Sequence, residues 1–143
     1  MAQGYTPAIL SLGDLHNEKS NYVEAASWYE KGALAGDIEC MNVLGAYYAR
    51  GTMGAPNGEK ARHWFRKAAD HGDAEGMASL GMIYFEGVAG TRADQAKGFE
   101  WLSKAAAQDF GPALTRMGKI YYNGEYVQRD YAKAREFFER AGG

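Results

Sequence analysis

Residues 80–101 read LGMIYFEGVAGTRADQAKGFEW, and the landmarks of this stretch recur along the whole chain. A Leu-Gly or Met-Gly pair occurs four times, with its glycines at intervals of 32, 36 and 37 residues. A bulky aromatic residue follows each pair, at intervals of 36, 37 and 36 residues. The glycines are Gly13, Gly45, Gly81 and Gly118, and the aromatic residues are Trp28, Trp64, Trp101 and Phe137. Two landmarks that share one period predict an array of four repeats.

Each repeat carries the apolar spacing of a helix pair. Met77, Leu80, Gly81 and Tyr84 stand at offsets 0, 3, 4 and 7, which is one face of a helix, called the A helix below. A second helix, the B helix, contains the aromatic landmark. We therefore expect an all-α, right-handed α-solenoid of four antiparallel helix pairs that forms one domain. The domain is expected to span 1–143, with repeats at about 5–36, 37–72, 73–109 and 110–143.

Small residues and capping residues add detail to this fold. A glycine inside a helix costs about 1 kcal/mol relative to alanine, so the recurrence of Gly81 and its counterparts predicts a close crossing by the B helix. Asn57 and Asp130 are placed to cap B helices. Asp94 stands one residue out of register and is expected to be a weaker cap. Cys40 occupies a position that is otherwise alanine or glycine, which favours a buried, unreactive thiol over a nucleophile.

Charge and composition exclude several classes of partner. The 16 basic and 18 acidic side chains are interspersed and give a net charge of −2, so neither nucleic-acid binding nor an anionic membrane surface is indicated. No apolar stretch reaches 18 residues, and we expect no membrane insertion. The first residues lack the basic segment and apolar run of a secretion signal. As written, the chain is expected to be cytoplasmic, or periplasmic or secreted if a signal segment has been removed.

The pattern LGxxYxxG, a loop and AxxWxxKAAxxG resembles the Sel1-like repeat, a relative of the tetratricopeptide repeat. The second copy matches in full, with its landmarks at Leu44, Gly45, Tyr48, Gly51, Ala61, Trp64, Lys67, Ala68, Ala69 and Gly72. The third copy departs from the pattern, because Gly98 replaces the B-helix alanine and Asp109 the terminal glycine. The resemblance implies a helical solenoid with a binding role, and it brings no fixed catalytic residues.

The sequence offers no catalytic, metal or cofactor site. His16, His63 and His71 lie on different helices or repeats, without carboxylates or cysteines at ligand spacing. The phosphate-binding glycine motifs and the GxSxG nucleophile motif are missing from the sequence. We therefore expect a protein without catalytic residues, metal or cofactors.

Binding is instead expected on the A-helix side, which is the concave face of such solenoids. Helical periodicity places positions three before and one, four and five after each repeat glycine on this face. These positions predict a partner-binding patch in which apolar and aromatic anchors have a polar rim. The predicted partner-binding residues are Asn42, Arg50, Met82, Phe85, Glu86, Lys119, Tyr122 and Asn123. Packing between neighbouring A helices is the competing interpretation for Phe85 and Tyr122.

The last B helix suggests a second contact surface. It ends soon after Phe137, so that apolar surface from Tyr131, Ala134 or Phe138 is expected to be exposed. Either the chain is a piece of a longer array, or this end binds a partner such as a second copy of the chain.

The leading hypothesis is a non-catalytic protein-interaction scaffold that binds a peptide or protein in its concave groove. One alternative is an immunity or regulatory protein that blocks an effector or enzyme, which would have one tight partner rather than several weak ones. A hydrolase-like repeat protein is a third hypothesis, and it predicts a cleft of convergent acids or histidines with shifted pKa values.

Overall fold

The computed structural model describes the backbone of residues 2–88 and 90–142 and the side chains of residues 8–88 and 90–142. Over this range the chain forms eight α-helices and no strand. The helices are α1 (Ala2–Glu18), α2 (Tyr22–Leu34), α3 (Ile38–Arg50), α4 (Gly58–Asp70), α5 (Ala74–Glu86), α6 (Gln95–Ala107), α7 (Gly111–Asn123) and α8 (Tyr131–Gly142). Each helix packs against its neighbours along the chain. The predicted all-α array of four helix pairs is confirmed, with A helices α1, α3, α5 and α7 and B helices α2, α4, α6 and α8.

The repeat glycines lie where a B-helix side chain crosses the A helix. A Cβ atom built on Gly45 would lie only 2.7 Å from the ring of Phe65, which is closer than packed carbon atoms approach. The same contact recurs in all four repeats, at 2.5, 2.7, 2.8 and 2.6 Å for the pairs Gly13–Tyr29, Gly45–Phe65, Gly81–Leu102 and Gly118–Phe138. The predicted close crossing is therefore confirmed, and the crossing side chain is the residue after the aromatic landmark.

The aromatic landmarks themselves are less uniformly buried. Trp64 belongs to the core, whereas Trp28 and Trp101 are only partly buried. Each of these two indoles carries a lysine ammonium over its ring, at 4.4 Å for Lys31 and 4.5 Å for Lys104. Their outer faces thus pack against charged side chains by cation–π contact.

Side-chain caps start the last three B helices. Asn57 and Asp130 each accept a hydrogen bond from the backbone N–H three residues on, at 3.0 Å. Asp94 makes the same bond at 3.1 Å, so the prediction of a weaker cap was wrong. The extra residue is absorbed in the loop, because the backbone N–H of Asp94 still donates to Tyr84 O, at 2.6 Å, as Asn57 donates to Tyr48 O, at 2.8 Å.

Helix ends confirm the expected glycine positions. Gly51, Gly87 and Gly124 follow α3, α5 and α7 with φ of 72°, 74° and 69°. In the third repeat Asp109 takes the place of the terminal glycine and still adopts φ of 58°. Its carboxylate accepts a hydrogen bond from Arg140 at 2.8 Å, which ties this turn to α8.

Cys40 is fully buried at the crossing of α2 and α3, as predicted. A Cβ atom on Gly32 would lie 2.5 Å from its Sγ atom, so the thiol occupies a slot where only small residues fit. Burial, followed by the nearby Asp37 and Glu39 carboxylates, raises the pKa of Cys40 to about 12. The thiol stays protonated at neutral pH, which makes it a poor nucleophile.

Candidate functional site: a groove along the A helices

Two adjoining clefts run along the faces of the A helices. The first, of about 350 Å³, is formed by α1, α3 and the start of α5 and is largely polar. The second, of about 600 Å³, lies between α5 and α7 and is largely apolar. Glu75 lines both clefts, so they form one continuous surface, called the A-helix groove below.

The residues that line the groove recur at equivalent positions in successive repeats. Most stand six, three or two residues before the repeat glycine, or one residue after it. In the second to fourth repeats these are Glu39, Asn42, Val43 and Ala46, then Glu75, Ala78, Ser79 and Met82, then Pro112, Thr115, Arg116 and Lys119. A recurring set of positions gives each repeat an equivalent stretch of groove, with different side chains in each.

Asn42 joins the polar cleft to the start of the next A helix. Its side chain is only 7 % exposed, and its Nδ2 donates to Asp73 Oδ2 at 2.8 Å. The same carboxylate oxygen accepts the Gly76 backbone N–H at 2.9 Å and so caps α5. The Asn42 Oδ1 atom has no hydrogen-bond partner among the described residues, although it is buried. Asn42 is thus fixed by the fold, and its Oδ1 atom is enclosed by the fold.

Two tyrosines complete the polar cleft. Tyr29 Oη donates to Asp14 Oδ1 at 2.6 Å, and Tyr47 Oη donates to Asn17 Oδ1. Burial is the main cause that raises the pKa of both phenols above the ordinary value. For Tyr29 the hydrogen bond to the Asp14 carboxylate raises the pKa further. Both hydroxyls therefore remain protonated donors that orient polar side chains of α1 along the groove.

The groove charges differ between its two halves. Asp14, Glu39 and Glu75 line the polar cleft together with Arg50, whereas Lys119 lines the apolar cleft. The pKa of Glu75 is raised, first by partial burial and then by the Asp73 and Glu39 carboxylates. Within the described part of the chain, neither Arg50 nor Lys119 forms an ion pair. These two cations are therefore available to an incoming ligand.

The apolar cleft is lined by the exposed side chain of Met82 and by the buried Leu102. Arg116 lies beside it but is occupied by the fold. Its Nη2 atom is 3.1 Å from a Glu86 carboxylate oxygen and 3.6 Å from one of Glu125. Among the described residues that line this cleft, Lys119 is thus the one cation without an ion pair.

The predicted anchor patch needs correction. Phe85 is 4 % exposed and packs inside the core under Leu114 and Met117, so its predicted exposure in the groove was wrong. On its other side Phe85 lies against α6, where Gly98 stands in place of the alanine of the other three repeats. A Cβ atom on Gly98 would lie 2.6 Å from Phe85 Cβ, so α5 and α6 approach closely only because the glycine is there.

The other predicted partner-binding residues lie in different parts of the structure. Met82 and Lys119 line the apolar cleft, and Asn42 and Arg50 line the polar cleft. Glu86 pairs with Arg116. Tyr122 is exposed but lies at the end of the array, 5.1 Å from the Tyr131 ring, and Asn123 is exposed at the end of α7. Met82, Phe85 and Tyr122 therefore do not form one patch.

Several residues that line the groove were not predicted from the sequence. Glu39, Glu75, Ser79 and Arg116 stand six or two residues before a repeat glycine, positions that the helical projection did not include. Helical periodicity could have identified them, because positions six and two residues before the repeat glycine lie on the same side of the helix as the position three residues before it.

A third cleft, of about 570 Å³, lies at the end of the array on α7 and α8. It is lined by Tyr122, Tyr131, Ala134, Arg135, Phe138 and Glu139. The predicted exposure of Tyr131 and Phe138 is confirmed, whereas Ala134 is buried beneath them and its predicted exposure was wrong.

Groups that could react or bind a metal ion are not clustered in the described part of the chain. Among the described side chains, no three histidine, cysteine or carboxylate groups are placed to hold a metal ion. Each of the raised pKa values, at Tyr29, Cys40, Tyr47 and Glu75, has burial as its first cause. No helix over the described range has the length and apolar character needed to cross a membrane.

Known proteins of the same architecture support the repeat assignment. The Sel1 repeat family model matches residues 8–37, 38–73, 74–110 and 111–142. A protective antigen of uropathogenic Escherichia coli with an SLR fold is 34% identical, with a TM-score of 0.83 over 98% of this chain and 31% of its own. A Sel1 repeat protein from Oxalobacter formigenes is 25% identical, with a TM-score of 0.84 over 97% of this chain and 57% of its own.

A protein described as a Sel1 repeat protein from Klebsiella pneumoniae subsp. pneumoniae is 26% identical, with a TM-score of 0.72 over 99% of this chain and 69% of its own. The chain thus spans about a third and about half the length of the first two structures. A search of the curated proteins found no match. Since the family model covers all four helix pairs in order, the chain belongs to the Sel1 repeat family.

Proposed function

We propose that the chain is a non-catalytic interaction module that binds a peptide or protein segment along the A-helix groove. Sel1 repeats generally mediate protein–protein interaction, and proteins of this family are typically non-catalytic scaffolds. The observation that carries the proposal is the continuity of the two clefts at Glu75. An extended segment can follow such a surface from one repeat to the next.

The groove chemistry defines the partner. Met82 and the buried Leu102 offer an apolar site for one anchoring side chain, and Lys119 beside it favours a neighbouring carboxylate. In the polar cleft, Glu39 and Glu75 favour a lysine or arginine of the partner. We therefore infer a segment with an apolar anchor, an acidic residue on one side and a basic residue on the other.

A phage-displayed library of random linear peptides tests this function. Selected peptides are expected to share the pattern described above, and their affinity is measured by calorimetry. Met82→Glu places a charge on the apolar site and Lys119→Glu reverses the free cation, so each is expected to weaken binding at least about tenfold, which corresponds to about 1.4 kcal/mol.

Leu34→Glu is the matched control, because Leu34 is an exposed leucine outside the groove. Its affinity is expected to equal that of the wild type. Failure to enrich any peptide, or equal binding by Met82→Glu and the wild type, would overturn the proposal.

A further inference from the structure

The apolar cleft of the A-helix groove lacks an aromatic ring that the repeat pattern would place there. The B-helix residue that crosses the repeat glycine is aromatic in three repeats, as Tyr29, Phe65 and Phe138, and is Leu102 in the third. Tyr29 lines the polar cleft, and Leu102 lines the apolar cleft. The apolar cleft, of about 600 Å³, is also the larger of the two, since the polar cleft has about 350 Å³.

The next A helix shows the same difference. Tyr47 stands two residues after its repeat glycine, lines the polar cleft and packs edge-on against Tyr29, with ring centres 5.7 Å apart. The equivalent residue on α7 is Ile120, which is fully buried. The chain thus supplies two packed rings between α1 and α3, whereas the equivalent positions between α5 and α7 hold two aliphatic side chains.

The start of α7 departs from the pattern in the opposite direction. Asp37 and Asp73 precede α3 and α5, and their carboxylates accept a backbone N–H of the helix at 3.0 and 2.9 Å. Phe110 stands at the same position before α7, which therefore has no side-chain cap. The Phe110 ring is partly buried and lines the apolar cleft. A local rule that is broken beside a cleft points to a role in binding.

Two further side chains of the cleft interact favourably with aromatic rings. Met82 is 37 % exposed, and a thioether sulfur attracts the edge of a ring. The Lys119 ammonium has neither an ion pair nor a ring contact among the described residues. Arg116 in the same cleft differs, because its guanidinium lies 5.2 Å from the centre of the Phe85 ring. Lys119 is therefore free to contact the ring of a ligand.

We propose that the apolar cleft binds an aromatic side chain of the partner, a phenylalanine, tyrosine or tryptophan, in preference to an aliphatic one. The ring lies between α5 and α7, where Met82, Phe110 and Lys119 each gain from a π system a contact that an aliphatic group does not give. An ammonium has three N–H donors, so Lys119 can still bind a neighbouring carboxylate of the segment. This inference rests on the proposed function, since it identifies the anchor of the bound segment.

Two ligands of similar size separate the π contacts from apolar burial. N-acetyl-L-phenylalaninamide carries a phenyl ring, and N-acetyl-L-cyclohexylalaninamide carries a saturated ring that is more apolar. Burial alone favours the saturated ring. We expect the phenylalanine amide to bind at least about fivefold more tightly, because the contacts with Met82, Phe110 and Lys119 need the π system.

NMR titration of the chain labelled with ¹³C at its methionine methyl groups measures both affinities, which are expected to be millimolar for ligands of this size. The Met82 methyl signal, assigned with Met82→Leu, reports the cleft. Met53 lies in the segment between α3 and α4, outside the groove, and its signal is expected to stay unchanged.

Lys119→Gln tests the cation directly. The variant is expected to reduce the preference for the phenylalanine amide over the cyclohexylalanine amide at least about twofold. Lys67→Gln is the matched control, because it removes the same charge from an exposed lysine of α4 outside the groove. Its preference is expected to equal that of the wild type.

Three results would each rule out the aromatic anchor. These are equal or tighter binding of the cyclohexylalanine amide, a preference that Lys119→Gln leaves unchanged, and a Met82 signal that responds to neither amide. Selected peptides with a leucine or isoleucine anchor would also contradict it while supporting the groove. A Met82 response to the phenylalanine amide without any enriched peptide would support the ring site and count against the proposed function.

Discussion

Gly45 on α3 lies directly against the Phe65 ring on α4, and a Cβ atom at Gly45 would be 2.7 Å from Phe65 Cε1. Because Phe65 is buried on all sides, the ring has no free space into which to move. We expect Gly45→Ala to lower the free energy of unfolding by about 1–2 kcal/mol, since overpacking outweighs the gain in helix propensity. Urea unfolding measures the change.

Gly111→Ala is the matched substitution. A Cβ atom on Gly111, in the first turn of α7, would meet nothing within 4 Å. Its stability is expected to stay within about 0.5 kcal/mol of the wild type, since the gain in helix propensity is offset by the preference of a residue before proline for extended backbone. A Gly45→Ala variant as stable as Gly111→Ala would show that the crossing tolerates a side chain.

Asp73 and Asp37 cap consecutive A helices by the same bond, yet Asp73 also holds Asn42. We expect Asp37→Ala to cost about 1 kcal/mol through the lost cap. Asp73→Ala is expected to cost about 1–3 kcal/mol more, because Asn42 Nδ2 would be left buried without an acceptor. Thermal unfolding compares the two variants, and equal losses would mean that the Asn42 bond contributes nothing measurable.

Cys40 makes stability depend on alkaline pH. The folded-state pKa of its thiol is raised from 9.0 to about 12, so the unfolded chain loses the proton at lower pH than the folded chain. The stabilisation is therefore complete below pH 9.0 and is lost as the pH rises toward about 12.

Comparison with Cys40→Ala isolates this effect, because Ala113 occupies the same position in the fourth repeat. At neutral pH the variant is expected to be less stable by about 1 kcal/mol, owing to the lost buried group. This difference should shrink above pH 9.0, since only the wild type has the thiol to titrate. Urea unfolding at several pH values provides the measurement, and a pH-independent difference would contradict the assignment.

The repeat architecture was predictable because its landmarks are the residues that make the inter-helix contacts. Gly45 is required by the crossing of Phe65, and Gly51 ends α3 with positive φ. The first requirement recurs in all four helix pairs and the second in the last three, so together they produce a period that can be read without coordinates. Caps such as Asn57 were predictable for the same reason, since they depend on backbone groups three residues away.

The candidate site was less predictable, because exposure depends on neighbouring repeats. Phe85 stands at a position expected to face the groove, but it is buried in one core cluster with Leu114 and Met117 of the next repeat. Tyr122 stands at the equivalent position one repeat later and is exposed. A helical projection of one repeat cannot separate these two cases, since the difference arises from the helices packed on either side.

The close approach of Gly98 to Phe85 also limits consensus design of this repeat. Replacing this glycine with the alanine that occupies the site in the other three repeats would ordinarily count as a safe improvement, because alanine favours helix. In this repeat the added methyl group would clash with the backbone and Cβ atom of Phe85. The third repeat is therefore a co-adapted unit, and an exchange of modules between solenoids has to transfer Gly98 and Phe85 together.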